Sequence, residues 1–212
     1  MKLSSQSIRD NQAIAGEFAF CIPNDKTHVC LGKNLSPQLS WTDAPAGTQS
    51  FAIVCVDIDV PSVGDNVNVE GRTVAADLPR VDFYHWVLID LPADTSAIEA
   101  GQFSSEVTPC GKAGPGAPLG SRQGINDYTA WFAGDADMRG DYYGYDGPCP
   151  PWNDERIHRY VFTVYALDVA KLDLDGKFNG GDALAAMQGH ILGQASITGT
   201  YTLNAALCAL RA

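Results

Sequence analysis

Three stretches of the chain are dense in β-branched and aromatic residues: Ser50 to Asp57, Phe83 to Asp90, and Arg159 to Leu167. Each is bounded by Pro, Gly or Asp, and each is too short and too rich in Val, Ile, Phe and Tyr to read as a helix. They predict three central β-strands. Ala195 to Leu203 alternates apolar and polar residues and predicts a fourth strand that closes the domain, and Leu39-Ser40-Trp41 predicts an edge. The clearest helical pattern is Asp182 to Gln188, with Asp182 placed as the N-cap and Gly189 as the stop. Strand patterns dominate, so the fold class expected is mainly β and antiparallel, with a few peripheral helices.

Side-chain alternation then places the polar residues at the strand ends. Residues two apart in a strand share a face, so His158 and Tyr160 project together, as do Asp57 and Asp59 if the strand continues, while Trp86 turns away from His85. Two connections are long, Ile58 to Asp82 and Ala100 to Ile157, and long irregular segments in a compact domain are commonly functional. If the strand ending at Asp57 pairs antiparallel with the one beginning near His85, both side chains arrive at the same end of the sheet. A strand starting at His158 and running parallel to the second brings its own start there. Beside it stands Gly147-Pro148-Cys149-Pro150-Pro151, a segment whose three prolines fix the backbone into a rigid wall.

Composition bounds the rest. The chain has 212 residues, 45% of them hydrophobic, enough for one well-buried core, and a single domain over 1–212 is expected. A formal net charge of −11 argues against a nucleic-acid backbone or an anionic membrane as the main partner. Met1 to Ser7 lacks the apolar run of a secretion leader and no stretch is long enough to span a bilayer, so a soluble, cytoplasmic protein is expected, as a monomer or homodimer. The six cysteines contain no C-x-x-C pair, which disfavours a zinc ribbon or a thioredoxin-type site. Most are expected as reduced thiols: Cys55 as core packing, Cys149 as a structural residue, and Cys21 and Cys30, which flank one loop, as the pair able to bond in an oxidising compartment. Gly111 to Gly116 reads as a mobile loop. Asp135 to Gly140 departs from a calcium loop at Arg139 and is not read as one. No G-x-S-x-G, H-E-x-x-H or G-x-x-x-x-G-K-[ST] occurs, and no cofactor or metal is expected.

Carboxylates and imidazoles in one place suit an anion or a zwitterion. An Asp beside a His favours the imidazolium, whose N–H groups can donate to phosphate oxygens; Tyr160 adds a hydroxyl, and Asp57 or Asp59 can take an ammonium group. The plainer readings are a half-buried histidine bonded to a backbone carbonyl, aspartates that end strands, and a tyrosine that packs. His28 reads as a solvated loop residue and His190 as a charge partner at a helix end. An enzyme reading, hydrolase or lyase, would use an Asp-oriented histidine as general base, and an interaction reading would use the loops to inhibit a kinase or protease.

The chain resembles the phosphatidylethanolamine-binding protein family, in its bacterial Raf kinase inhibitor-like branch, from about Gly16 to Leu203. The resemblance is carried by Asn34 to Trp41, Pro45 to Phe51, Asp57-Ile58-Asp59-Val60-Pro61-Ser62, His85-Trp86-Val87, Gly147 to Pro151, His158-Arg159-Tyr160 and Gly189 to Leu192. It implies an antiparallel two-sheet fold and a non-enzymatic binding protein whose small pocket takes phosphate-type anions, such as phospholipid headgroups or phosphorylated residues, and which can regulate a partner protein. Carried over residue by residue, the ligand pocket would hold Asp57, Asp59, Pro61, His85, Gly147, Pro148, His158 and Tyr160, with a cis bond before Pro61. The sequence departs from the family pattern in having Ile58 where proline is usual, a longer segment between Ser62 and His85, and Trp152-Asn153-Asp154-Glu155 in place of a shorter turn. Trp152 is thereby expected at the pocket rim.

Overall fold

The computed structural model describes residues 1–209. The chain begins with β1 (Lys2–Ser4), β2 (Gln12–Ala13), β3 (Cys21–Asn24), β4 (His28–Leu31) and β5 (Leu39–Thr42). The long strands follow, β6 (Ser50–Pro61) and β7 (Arg80–Pro92), then the short β8 (Ala97–Ile98) and β9 (Arg122–Gln123). A short helix α1 (Tyr128–Trp131) precedes β10 (His158–Leu167), α2 (Gly180–Met187), β11 (Ile191–Tyr201) and α3 (Ala205–Ala209).

The predicted central strands are β6, β7 and β10, and they form the middle of a six-stranded sheet ordered β2-β11-β10-β6-β7-β9. All of its pairings are antiparallel except that of β2 with β11. The edge expected at Leu39 to Trp41 is β5, which joins β1 and β8 in a second sheet, and the β3–β4 hairpin makes a third two-stranded sheet. The mainly β class holds, with three sheets among the described residues where two were expected.

Both faces of the large sheet are covered. Phe51, Ile53, Cys55, Trp86, Leu88, Phe162 and Val164 belong to the larger core, while Ala52, Val54, Val87, Ile89 and Leu167 pack with Phe178, Ala183 and Met187 under α2. Burial on both faces explains why β6 and β7 read as continuous apolar runs and not as an alternating pattern. Helix α2 starts earlier than predicted. Asn179 is its N-cap, accepting from the Asp182 N–H at 3.1 Å, and Asp182 sits at the third helical position and accepts from the Asn179 N–H at 3.0 Å. That reciprocal capping box assigns Asp182 a different place in the same signal. Gly189 stops the helix as expected, at φ +84°.

The cysteines depart from expectation. Cys21 pairs with Cys149 across 128 residues of chain, not with Cys30, whereas Cys30, Cys55, Cys110 and Cys208 are free. In the β3–β4 register Cys21 faces Leu31 and Cys30 faces Ile22, so the two thiols that flank the loop are out of step. Cys149 is structural, as read, because it ties the proline wall to β3. The peptide bond before Pro61 is not cis: β6 stays extended through Pro61, which pairs with Arg80, and the one cis bond among the described residues is Gly114–Pro115. The segment Gly111 to Gly116 is anchored by Lys112, whose ammonium reaches Asp146 at 3.0 Å and the Tyr145 carbonyl.

Candidate functional site

The site forms at one end of the six-stranded sheet. Asp57 on β6 lies opposite Tyr160 on β10 and opposite Phe83 on β7, so β7 and β10 run in the same direction on either side of β6. His85 and His158, far apart in sequence, thereby flank Asp57. One irregularity decides how His85 points. The β6–β7 register shifts between Cys55 and Val56, which leaves His85 as the extra residue of a bulge. Strict alternation would send Trp86 away from His85; the bulge instead keeps both on the larger core's face, with Trp86 inside it and the His85 ring against Phe83, Tyr128 and Tyr160 at 4.9, 5.4 and 5.1 Å.

A pocket of about 360 Å³ opens over these residues. Its polar floor is Asp57, His85, His158 and Tyr160; Pro61, Pro150, Pro151 and the Cys21–Cys149 disulfide stand beside it. Higher up the lining is apolar, with Leu31, Val67, Phe83, Trp131, Phe132 and Met138. Leu31 and Trp131 are 57% and 53% exposed and mark the mouth.

His158 is fully buried and clamped at both nitrogens, Nδ1 to the Asp57 carboxylate at 2.7 Å and Nε2 to Asp154 at 3.0 Å. Carboxylates only accept, so both ring nitrogens must donate and the ring is an imidazolium. Burial opposes that charge, but the attraction of Asp57 and the hydrogen bonds to Asp154 and Asp57 outweigh it and push the His158 pKa up to about 9. Asp154 is held in turn by Arg80, which donates from both terminal nitrogens at 2.6 and 3.0 Å. His158 therefore has no N–H to offer a ligand. It locks Asp57 in place and neutralises it.

His85 is the free imidazole. Its Nδ1 donates to the Asp146 carbonyl at 2.7 Å, and its Nε2 has no partner among the described residues. Burial pulls its pKa below the usual histidine value, against the opposing pull of Asp57, the Asp146 carbonyl and the Asp127 and Asp146 carboxylates. The ring is neutral at pH 7, with the Nε2 lone pair bare. Asp146 is itself fully buried and accepts from Asn34 and Asn126 at 2.7 Å each and from Lys112 at 3.0 Å. Tyr160 completes the floor. Its hydroxyl is buried without an aligned hydrogen-bond partner, and burial together with the neighbouring Asp57 charge holds the phenol well above its ordinary pKa.

The structure thus brings Asp57, Pro61, His85, His158 and Tyr160 to one pocket and leaves Asp59, Gly147 and Pro148 out of its lining. A register shift between Asp57 and Val60 breaks the alternation expected for the two aspartates. Asp59 binds Arg159 through its Nε and a terminal nitrogen at 2.7 and 2.9 Å, and Arg156 at 3.2 Å. Gly147 and Pro148 hold the wall from behind. Gly147 donates to Asn34 Oδ1 at 2.7 Å and accepts from the Tyr128 hydroxyl at 2.9 Å, while the Pro148 carbonyl accepts from the Phe20 and Cys21 N–H groups at 3.0 and 3.1 Å. A Cβ at Gly147 would meet the Phe18 carbonyl at 2.1 Å, which is why glycine stands there. Trp152 lies outside this pocket, stacked at 3.9 Å on His28, and His28 is tied to Glu70 at 2.9 Å and is not merely solvated. The rim aromatic is Trp131. Sequence reading missed it together with Phe132, Met138, Asp146, Asp154 and Arg80, because all six come from the two long connections or the strand end beside one of them and carry no periodic signal.

Electrostatically the site is the exception in an acidic protein. Asp57, Asp59, Asp146 and Asp154 are four buried carboxylates, and five cationic groups face them: His158, Arg80, Arg156, Arg159 and Lys112. The cluster carries no net negative charge.

The pocket stands preformed at the end of the sheet, apolar above and polar at its floor. The chain belongs to the phosphatidylethanolamine-binding protein family: the model of that family matches residues 4–202. It is 35% identical over 174 residues to a UPF0098 protein of Methanothermobacter thermautotrophicus, covering 82% of this chain and 87% of that one. With the UPF0098 protein YbhB of Escherichia coli it shares 32% identity over 202 residues, 95% of this chain and all of YbhB. Among solved structures, Escherichia coli YbcL, described as a member of the mammalian PEBP family, superposes with a TM-score of 0.67 at 24% identity, covering 95% of this chain and 97% of YbcL, which supports the fold. The Chlamydia trachomatis homologue CT736 gives a TM-score of 0.63 at 26% identity, covering 94% and 95%. No helix of the described residues is long and apolar enough to cross a membrane.

Proposed function

We propose that the protein is a non-enzymatic binding protein that takes a small phosphate-bearing or zwitterionic ligand in the pocket over Asp57, His85 and Tyr160. The observation that carries this reading is His85 Nε2, a ring nitrogen on the pocket floor with no hydrogen-bond partner among the described residues, beside a buried Tyr160 hydroxyl whose one neighbour, Asp57, is poorly aligned with it. Buried polar groups are nearly always hydrogen-bonded, and an exception that faces a pocket is a place for a ligand atom. The roles are redistributed relative to the sequence reading: His85 and Tyr160 touch the ligand, while His158 positions Asp57 and supplies the charge that makes an anion tolerable there.

An enzyme reading would have to use His85 as base, since the Asp-oriented histidine is tied at both nitrogens. The pocket lining contains no Ser, Thr or Lys, and its two cysteines are joined to each other, so no activated nucleophile stands beside that base. That supports binding over turnover. The test is calorimetric titration of the protein with inorganic phosphate and with phosphoethanolamine, alongside the His85→Ala variant. Binding that weakens at least tenfold in the variant is expected; affinity indifferent to the substitution, or no heat with either compound, overturns the reading.

A further inference from the structure

We propose that the segment 62–74 is the wall on which this pocket discriminates ligands by their apolar part, and that Asn153, which stands outside the pocket lining, is the residue that positions the wall. This rests on the reading of the site given above and adds to it the part of the molecule that selects.

The segment has no core of its own. From Ser62 to Thr73 every residue is exposed except the half-buried Val67, and the chain is buried again only at Val74. An irregular stretch of that length and exposure opens easily unless something holds its backbone. One buried side chain does so. Asn153, 5% exposed, donates from Nδ2 to the carbonyls of Asn66 and Arg72 at 2.8 and 3.0 Å, with a longer bond to the Val69 carbonyl at 3.4 Å. Its Oδ1 accepts the Asn68 N–H at 3.0 Å, and its own carbonyl accepts the Val74 N–H at 3.1 Å. Both amide protons and the amide oxygen of Asn153 are thus spent on this one segment. Asn68 reaches back in turn, its Oδ1 accepting the Trp152 N–H at 3.0 Å. The left-handed turns that wrap the chain around Asn153 fall at Asn68 and Gly71, φ +58° and +70°, residue types that tolerate them. The remaining side-chain tie, Glu70 to His28, is solvent-exposed and contributes little.

What Asn153 holds in place is pocket wall. Gly64, Val67 and Asn68 line the pocket, and Asn153 does not. The floor is fixed differently: Asp57, His85 and Tyr160 sit on β6, β7 and β10, whose ladders set their positions. Floor and wall are therefore held by separate means. A ligand that stays on the floor depends on the sheet, whereas one whose apolar part reaches Val67 depends on Asn153 as well. The next residue, Asp154, clamps His158, so a substitution at Asn153 has to be judged against a ligand that reads the floor alone.

The experiment is calorimetric titration with phosphoethanolamine, which has no apolar ring to place on the wall, and with phenyl phosphate, which has one. Wild type, Asn153→Ala, Val67→Ala and the double variant are compared. Each single substitution is expected to lower the affinity for phenyl phosphate relative to phosphoethanolamine about fivefold, from lost contact between ring and wall. The double variant should lose no more than Asn153→Ala alone, because a displaced wall leaves no contact for Val67→Ala to remove. A merely structural role for Asn153 predicts the opposite, an equal loss for both ligands and additive effects. Amide hydrogen exchange across 66–72 should quicken in Asn153→Ala and not in Val67→Ala. Additive losses, an unchanged ratio of the two affinities in either single variant, or exchange indifferent to Asn153→Ala overturns the proposal and leaves the reading of the floor standing. Should Asn153→Ala fail to fold, the ratio in Val67→Ala decides alone. Wild type that binds neither compound overturns the reading of the site itself.

Discussion

Raising the pH from 6.5 to about 8 should destabilise the fold through a single residue, His158. In the folded protein its imidazolium lies between Asp57 and Asp154 with a pKa of about 9, against 6.5 for an unconstrained histidine. The folded state holds the proton more tightly, so the stabilisation is complete below pH 6.5 and is lost as the pH rises through 9. The full shift corresponds to roughly 3 kcal/mol, and integration between pH 6.5 and 8 gives a loss of about 1.5 kcal/mol. The ring is fully buried, so solvent screening removes little of this. His85 is shifted the opposite way, below the ordinary value, so deprotonation of its unfolded imidazole across the window offsets at most about 0.4 kcal/mol of the loss. The buried Cys55 thiol is pushed well up by burial and by Asp57, and its unfolded counterpart ionises only at about pH 8.5. Urea unfolding followed by tryptophan fluorescence at the two pH values measures the difference, read as a midpoint shift at constant m-value. His158→Gln should cost about 3–5 kcal/mol, because it leaves Asp57 buried without its cation, and its remaining stability should lose this slope. Wild-type protein as stable at pH 8 as at 6.5, or a variant with the same slope as wild type, would refute the buried imidazolium.

Two further outcomes test how the wall and the second aspartate are built. Asp59→Asn should lower stability by about 2 kcal/mol, through its bonds to the half-exposed Arg156 and Arg159, yet leave affinity for phosphoethanolamine within about twofold; a tenfold affinity loss at intact stability would put Asp59 back among the ligand contacts. Thiol titration of the unreduced, denatured protein should count four groups and reach six after reduction. Reduction should lower stability by about 5 kcal/mol, from opening a 128-residue loop. Six thiols before reduction would show that Cys21 and Cys149 are not joined.

The order of residues along the chain was enough to fix the mainly β class, the three central strands and the convergence of Asp57, His85, His158 and Tyr160. Those conclusions rest on β-branched and aromatic runs bounded by Pro, Gly and Asp, and on where the polar residues fall at the ends of those runs, both of which a one-dimensional string preserves. What each polar atom does with its neighbours was decided by tertiary structure. His158 looks like a ligand donor in sequence, but Asp154 and Asp57 consume both of its nitrogens, and nothing in the string says that Asp154, in a turn, will arrive there. His85 and Trp86 look as if they oppose each other until a bulge shifts the register, and Asp59 matches Asp57 until a second shift hands it to two arginines. The Cys21–Cys149 bond and the Trp131 rim join or occupy segments far apart in the chain, where spacing carries no information. Hydrogen bonding and burial are properties of contacts, and contacts between distant segments exist only once the sheet has gathered them.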